Sequence, residues 1–381
     1  MGVRSTRILP LVLTAAVLLG IRTSAVAAPR ATDASSGLRR AQVATQRAFK
    51  GTSTNVDPTP RHAVKGKRVV VISAGQSSIS ASVPTDAAVN ALHAIGWHAE
   101  VYDANLTPAN YAPLVRQAIA SGADGILLIT IDCRAVQQPL REARAKGIAV
   151  IGVGAFDCDD PHGGGARRGL FSAQISFGPR GADLGALVSR YGVDQANYIV
   201  AKSKNRAKVI DIQDPEFTTL YYTDRGFRNA IARSGGSQIV GTVQLTSADF
   251  VTNKVVPKIQ AEMLRHPEAN WIRSPYTYTT TLGVVPALGG KQTIDVMGGE
   301  GFEPELDLIR TGRITAVNIF SSEWAAWAGV DTMNSVFLKE APVDSGLGWV
   351  MADADHNVPA SGPYRPAIDY QAEYRKAWGV S

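Results

Sequence analysis

Short runs of aliphatic and β-branched residues recur along the chain from residue 69, and stretches with helical periodicity separate them. The first run, 69–72, precedes a helical pattern from about residue 80 to 95 that stops at Gly96. Continuous apolar strands that alternate with helices predict parallel sheets covered on both faces. The fold class is therefore α/β, with ligand sites expected beyond the carboxyl ends of the strands. The other strand runs are 99–102, 125–131, 148–153, 207–212, 238–244, 271–273, 293–297 and 314–319, and further helical patterns cover 108–120 and 135–146.

The chain begins with the pattern of a secretory leader. Arg4 and Arg7 precede an apolar stretch at 8–21, and residues 25–27 form an A-x-A cleavage signal. The apolar stretch ends at Arg22, short of the roughly 20 residues that span a bilayer, so a signal peptide is favoured over a membrane anchor. We predict a signal peptide at 1–27 and an exported protein, periplasmic or at the cell surface or outside the cell.

The formal charge of +6 is concentrated near the amino terminus. Residues 28–68 hold nine Lys or Arg and two Asp, whereas the rest of the chain after them is net acidic, with 27 basic and 31 acidic residues. The basic stretch lacks a sustained apolar period, which predicts a flexible linker at 28–66. A nucleic-acid-binding arm is the alternative, and the export signal argues against it.

The remaining body of the chain exceeds the size of one hydrophobic core, which indicates two lobes. Several short motifs follow one another along it. They are Gly-Ala-Asp-Gly-Ile-Leu at 122–127, Asp-Arg-Gly-Phe at 224–227, Gly-Gly-Glu-Gly at 298–301, Leu-Ile-Arg-Thr-Gly-Arg at 308–313 and Gly-Val-Asp at 329–331.

In their order and spacing these motifs resemble the type I periplasmic binding proteins, the ribose- and galactose-binding relatives that feed ABC importers. The resemblance covers nearly all of residues 67–381. It implies two Rossmann-like lobes joined by a hinge that closes on ligand like a Venus flytrap. The amino-terminal lobe is then 67–175 plus 318–345, and the carboxy-terminal lobe is 176–317 plus 346–381.

Several positions at which the family typically holds sugar hydroxyls carry other residues here. Aligned on the family, they are Phe177, Tyr221, Tyr278 and Phe320, while Glu300 keeps the acidic character of the late loop. Aromatic rings stack on sugar faces but also suit flat or apolar ligands. The full set of expected ligand-binding residues is Gln76, Ser77, Ser78, Asp132, Asp157, Phe177, Tyr221, Tyr278, Glu300, Phe320 and Trp324.

Cys133 and Cys158 are the only cysteines, and both follow adjacent strands of the predicted sheet. In an exported protein they are expected to form a disulfide, whereas two free thiols or a metal site are the alternatives.

A hydrolase is the enzyme alternative to a binding protein. His-Gly-Gly-Gly at 162–165 matches an esterase oxyanion loop, but the chain has neither a G-x-S-x-G elbow nor an H-E-x-x-H zinc motif. A mobile rim loop is the favoured interpretation, and no catalytic residue, cofactor or metal is expected.

Together these features predict a monomeric solute-binding protein that captures a sugar, or a less polar sugar-like or aromatic solute, and delivers it to the permease of an ABC importer. A receptor module for a membrane sensor is the alternative from another class, and a hydrolase is a remote third.

Overall fold

A computed structural model describes residues 1–2, 31–178, 184–290 and 294–380. The predicted leader falls almost entirely on residues 3–30, which lie outside the described ranges, so its cleavage stays a prediction. Within those ranges the search for a helix both long and apolar enough to span a membrane finds none.

The first lobe is built on a four-stranded parallel sheet with the order β2-β1-β3-β4. Residues of β1 pair with both neighbours, so that Val71 lies opposite Val101 and Leu127. The elements are β1 (Arg68–Ser73), α2 (Ile79–Ala94), β2 (His98–Asp103), α3 (Tyr111–Ala120), β3 (Gly125–Ile129), α4 (Gln137–Ala145) and β4 (Ala149–Val153), after the amino-terminal helix α1 (Ala31–Ala48).

The second lobe holds a six-stranded sheet with the order β10-β9-β8-β7-β5-β6, in which only the edge strand β10 runs antiparallel to its neighbour. Its strands are β5 (Lys208–Gln213), β6 (Gln238–Gln244), β7 (Trp271–Arg273), β8 (Asp295–Met297), β9 (Ala316–Phe320) and β10 (Trp349–Asp353). The helices in this part of the chain are α5 (Leu184–Lys202), α6 (Thr218–Ser234), α7 (Ser247–Val251), α8 (Val255–Arg265), α9 (Thr277–Thr279), a π-helical turn (Thr280–Val284), α10 (Val285–Leu288), α11 (Glu303–Arg310), α12 (Ser322–Leu338) and α13 (Tyr370–Trp378).

The predicted α/β fold with parallel sheets in two lobes is confirmed. Strands β3 and β4 are buried along their whole length, which accounts for their unbroken apolar sequences. The Asp-Arg-Gly-Phe motif lies in α6 and serves packing. A Cβ at Gly226 would collide with the backbone of Ser189, so glycine lets α6 and α5 approach closely. In the same motif, Asp224 forms a buried ion pair with Arg273.

The predicted lobe boundaries differ from the structure near the carboxy terminus. Residues 318–320 belong to β9 of the second sheet, and the chain crosses to the first lobe only with α12, which packs on α2 and β4. Residues 346–381 divide as well. Strand β10 completes the second sheet, whereas α13 returns to the first lobe because Tyr374 and Trp378 join the core around α12.

Residues 31–66 are not the flexible linker that their composition predicted. Helix α1 packs on α5 and α6 of the second lobe, where Ala41 and Ala48 are buried. The following segment runs beside β10 and reaches the first lobe at Arg61, which pairs with Asp331 of α12. We call residues 31–66 the clasp, because they contact both lobes. The buried positions of α1 recur every three or four residues, at Gly37, Ala41, Thr45 and Ala48, but these side chains are too small or too polar to stand out as an apolar face in the sequence.

Candidate functional site

A cavity of about 170 Å³ lies between the two lobes at the carboxyl ends of their strands. This is the place where open α/β sheets bind ligands. The first lobe contributes Ala74, Ser78, Ser80, Ala81, Pro84, Leu106, Thr130, Val153 and Gly154. The second lobe and the crossing segments contribute Leu187, Val188, Tyr191, Phe217, Thr219, Leu220, Thr223, Ser247, Phe250, Pro275, Tyr276, Tyr278, Glu300, Phe320, Ser322, Ala325 and Trp349.

More than half of these lining residues have purely hydrocarbon or indole side chains. Two aromatic groups stand out in the second-lobe wall. Phe250 stacks on Tyr278 with ring centroids 5.0 Å apart, and Tyr191 meets Trp349 edge to face at 5.8 Å. Apolar side chains therefore make up just over half of the wall, and the rest consists of ten hydroxyl-bearing residues, Glu300 and Gly154.

Glu300 carries the single carboxyl group among the described lining residues. One of its carboxylate oxygens accepts hydrogen bonds from the Ser80 hydroxyl at 2.5 Å and from the Thr277 backbone N–H at 3.2 Å. Burial is the main cause that raises the pKa of Glu300 to about 7; the nearby carboxylates of Glu305 and Glu323 contribute to the rise, whereas these two hydrogen bonds oppose it.

Several other polar groups of the wall already have partners in the protein. The Tyr191 hydroxyl donates to backbone oxygens of Gly299 and Asn318, and the Tyr276 hydroxyl donates to Asp214 at 2.9 Å. Thr219 donates to the Gly154 carbonyl oxygen at 3.1 Å. These bonds fix the shape of the wall and reduce the number of hydroxyls that remain for a ligand.

Hydrogen bonds cross the cleft directly. The Ser80–Glu300 bond joins α2 to the loop after β8, and the Asp132 carboxylate accepts the Thr218 backbone N–H at 2.9 Å. Arg134 donates to the carbonyl oxygens of Pro215 and Glu216 across the same boundary. The two lobes are therefore held together on the cleft side.

A model of the periplasmic binding protein domain family matches residues 69–341, which is most of the chain. The chain belongs to this family. A search of the curated proteins finds no match.

Solved structures of similar fold are ABC transporter solute-binding proteins. One from Agrobacterium vitis, bound with α-D-tagatopyranose, is 20% identical with a TM-score of 0.67, and the match covers 79% of this chain and 100% of that one. One from Mycobacterium smegmatis with bound glycerol is 20% identical with a TM-score of 0.63 and the same coverage. The Caulobacter myo-inositol-binding protein is 15% identical with a TM-score of 0.64, covering 76% of this chain and 94% of its own.

In this periplasmic binding protein, four of the expected ligand-binding residues line the cavity. They are Ser78, Tyr278, Glu300 and Phe320, which reach it from both lobes and from the crossing after β9. Each lies at the end of a strand, just after one, or at the start of a helix at the cleft. Their contact with a ligand stays a prediction.

Two expected acidic ligands hold backbone instead. Asp132 accepts the N–H groups of Phe156 and Thr218, and Asp157 accepts those of Cys158, Leu170 and Phe171. Their carboxylates are buried but lie outside the cavity wall. Loop backbone occupies much of their acceptor capacity, and their contact with a ligand stays a prediction.

The other expected residues are also outside the wall. Trp324 is fully buried, stacks on Tyr370 and donates to the Ser345 carbonyl oxygen, and Phe177 packs against the cores of both lobes. Tyr221 is partly exposed and stacks on His162 at the rim, with ring centroids 3.8 Å apart.

The predicted Gln76 and Ser77 also miss the wall. They lie in the turn before α2, where Ser77 is exposed and the Gln76 backbone N–H donates to Asp103. Ser78 and Ser80, one and three residues further along, occupy the wall in their place.

Several lining residues were missed by the sequence reasoning. Phe217 and Tyr276 follow β5 and β7, where the rule that ligands bind beyond strand ends could have found them. Tyr191 and Trp349 carried no such signal, because one lies inside α5 and the other begins the edge strand β10.

The predicted disulfide between Cys133 and Cys158 is confirmed. It joins the loops after β3 and β4, and Asp157 beside it has its oxygens engaged by backbone N–H groups. The bond anchors a loop at 154–169 that contacts α6 of the other lobe, where the Tyr222 hydroxyl donates to Asp160 at 2.8 Å.

The His-Gly-Gly-Gly run at 162–165 belongs to this loop. The backbone N–H groups of His162 and Gly163 donate to the Asp160 carboxylate, and those of Gly164 and Gly165 donate to its carbonyl oxygen. The N–H groups that an oxyanion hole would need are therefore engaged within a local turn. This supports the interpretation of the segment as a rim loop.

Proposed function

We propose that the protein is an exported solute-binding protein that captures one small molecule between its lobes and delivers it to the permease of an ABC importer. The observation that carries the proposal is the cavity between the lobes, bounded by residues of both and spanned by the Ser80–Glu300 hydrogen bond. A site shared by two lobes couples ligand binding to their closure, because only the closed form makes all contacts with the ligand.

The kinship with other proteins points the same way. The family is that of the periplasmic binding protein domain, and the similar structures from Agrobacterium vitis and Caulobacter are described with a bound sugar and a bound polyol. Capture of a small solute is therefore proposed for this chain, and delivery to a permease follows from the transporter role of those proteins.

A thermal-shift screen of residues 28–381 against sugars, polyols, amines and aromatic compounds tests capture. A ligand with micromolar affinity at millimolar concentration stabilises the folded state by about 4 kcal/mol. We expect a rise in melting temperature for one chemical class, and the absence of any response would contradict capture of a small molecule.

Deleting the gene and following uptake of the stabilising compound by the cells tests delivery. Loss of uptake is expected if the protein feeds an importer. Undiminished uptake together with a lost transcriptional response to the compound would favour the sensor alternative.

A further inference from the structure

We infer that the cavity takes an apolar, ring-containing molecule with one cationic amine directed at Glu300, and that a polyhydroxylated sugar is not its ligand. This inference rests on the proposed function and specifies its solute. Four features of the cavity carry it, namely the composition of its wall, the arrangement of its aromatic rings, its size and the charge around Glu300.

Ten of the described lining residues carry a hydroxyl group, and five of these hydroxyls already donate to protein oxygens, namely those of Ser80, Tyr191, Thr219, Thr223 and Tyr276. A sugar buried in a pocket needs a partner for nearly every hydroxyl, and each buried hydroxyl left without one costs binding free energy. Among the described lining residues, Glu300 is the single carboxylate and there is no Arg, Lys, Asn or Gln. Bidentate recognition of paired sugar hydroxyls, which uses carboxylates and guanidinium groups, has little support here.

The aromatic residues form two apolar clusters in the second-lobe wall of the cavity. Phe250 packs against Tyr276 and Tyr278, with ring centroids 6.2 and 5.0 Å away, respectively. Tyr191 and Trp349 form the second group. Ring surfaces of this kind suit a flat or alicyclic body, because its faces can be buried against carbon.

The size of the cavity limits the ligand to a small molecule. A water-sized group takes up roughly 10–15 Å³ of the cavity volume of about 170 Å³, so the cavity accommodates on the order of 10–15 non-hydrogen atoms. This corresponds to one or two rings with a short side chain.

The charge around Glu300 selects the head group. Among the described residues no Lys, Arg or His forms an ion pair with it, and the charged side chains that act on it, Glu305 and Glu323, are both acidic. Glu305 accepts the backbone N–H groups of Gly299 and Gly301 and the Thr277 hydroxyl, so it is itself satisfied. A cation would supply Glu300 with the missing opposite charge, whereas an anion would be repelled.

Isothermal titration with matched indoles tests the inference. Tryptamine, tryptophol and indole-3-propionate share one ring system and differ in carrying an amine, a hydroxyl or a carboxylate. We expect tryptamine to bind at least tenfold more tightly than either isostere, and more tightly than ribose, glucose or myo-inositol. Equal binding of tryptophol and tryptamine, or tighter binding of the carboxylate or of any sugar, would overturn the inference while leaving solute capture intact. No binding by any of these compounds or by the wider screen would overturn solute capture itself.

The Glu300→Gln variant locates the amine. The substitution keeps the size of the side chain and its acceptor for Ser80 but removes the charge. Because hydrogen bonds to charged groups contribute about 1.5–3 kcal/mol, tryptamine affinity should fall roughly ten- to a hundredfold in this variant. The matched control is Glu303→Gln, which removes an exposed carboxylate three residues away. Equal loss in both variants, or none in Glu300→Gln, would contradict an amine at Glu300.

Discussion

Buried charge is arranged differently in the clasp and in the cavity. In the clasp, Arg61 donates to both carboxylate oxygens of Asp331 at 3.0 and 3.1 Å, and the Trp378 indole N–H donates to the same carboxylate at 2.8 Å. In the cavity, Glu300 has two neutral hydrogen-bond donors and acidic neighbours. A buried charge that is paired with an opposite charge has a structural role, whereas a buried charge without such a partner is available to a ligand.

The sharpest way to break this comparison is to remove the partner of the paired charge. Arg61→Met leaves Asp331 buried without a cation, which should lower the free energy of unfolding by about 3–5 kcal/mol. Urea denaturation measures it, with Arg47→Met on the exposed face of α1 as the control. A loss equal to that of the control would show that the clasp does not stabilise the fold through this pair.

Neutralising Glu300 should raise the free energy of unfolding, whereas Arg61→Met lowers it. Its pKa is about 7 in the folded protein against 4.5 in the unfolded chain, so between these values the folded state binds more protons and stability falls as pH rises. Glu300→Gln removes this loss and should stabilise the ligand-free protein by up to about 3 kcal/mol at pH 8, and by little at pH 4.

Urea melts of the wild type and of Glu300→Gln across this pH range provide the measurement. The difference between the two proteins isolates Glu300 from other carboxyls such as Asp214, whose pKa burial also raises to about 7. A difference independent of pH would show that Glu300 titrates normally.

The disulfide at the rim should contribute a similar amount to the free energy of unfolding, because it restricts the unfolded chain. Cys133 and Cys158 are 25 residues apart, and closing a loop of that length lowers the entropy of the unfolded chain by the equivalent of about 3 kcal/mol. The double variant Cys133→Ser with Cys158→Ser should lose this stability in thermal melts. The same loss is expected for the wild type after reduction, and resistance of the melting temperature to reduction would contradict it.

The smallest expected effect is a change in ligand affinity that distinguishes residues of the cavity wall from residues of its rim. Tyr278 lines the cavity, whereas Tyr221 stacks on His162 outside it. Tyr278→Ala should weaken ligand binding by about 1–2 kcal/mol through lost apolar contact, and Tyr221→Ala should leave the affinity unchanged. Calorimetric titration of both variants with the same compound decides between them, and the reverse order would move the site to the rim.

The fold was predictable because strand runs such as 125–131 and 148–153 are short, apolar throughout and separated by helical patterns, which is typical of parallel sheets buried on both faces. The clasp was not. Its helix shows a basic, Ala-rich sequence, and the apolar residues that hold it, such as Ala41 and Ala48, are too small to mark a buried face.

Residues of the cavity wall were predictable where a loop follows a strand in a known order, as for Glu300 and Tyr278. The Asp157 carboxylate accepts backbone N–H groups of its own loop. Sequence spacing does not distinguish such a carboxylate from one that binds a ligand. Sequence reasoning also missed Trp349, which reaches the cavity only because β10 adds to the edge of the second sheet.

Small-angle X-ray scattering of residues 28–381, with and without the compound that stabilises the protein most, tests the central claim most directly. The account predicts that the compound reduces the radius of gyration as the lobes close on it, and that Glu300→Gln requires a higher concentration for the same change. If the lobes are open before the compound is added, saturating binding that leaves the radius of gyration unchanged would contradict capture by closure of the two lobes.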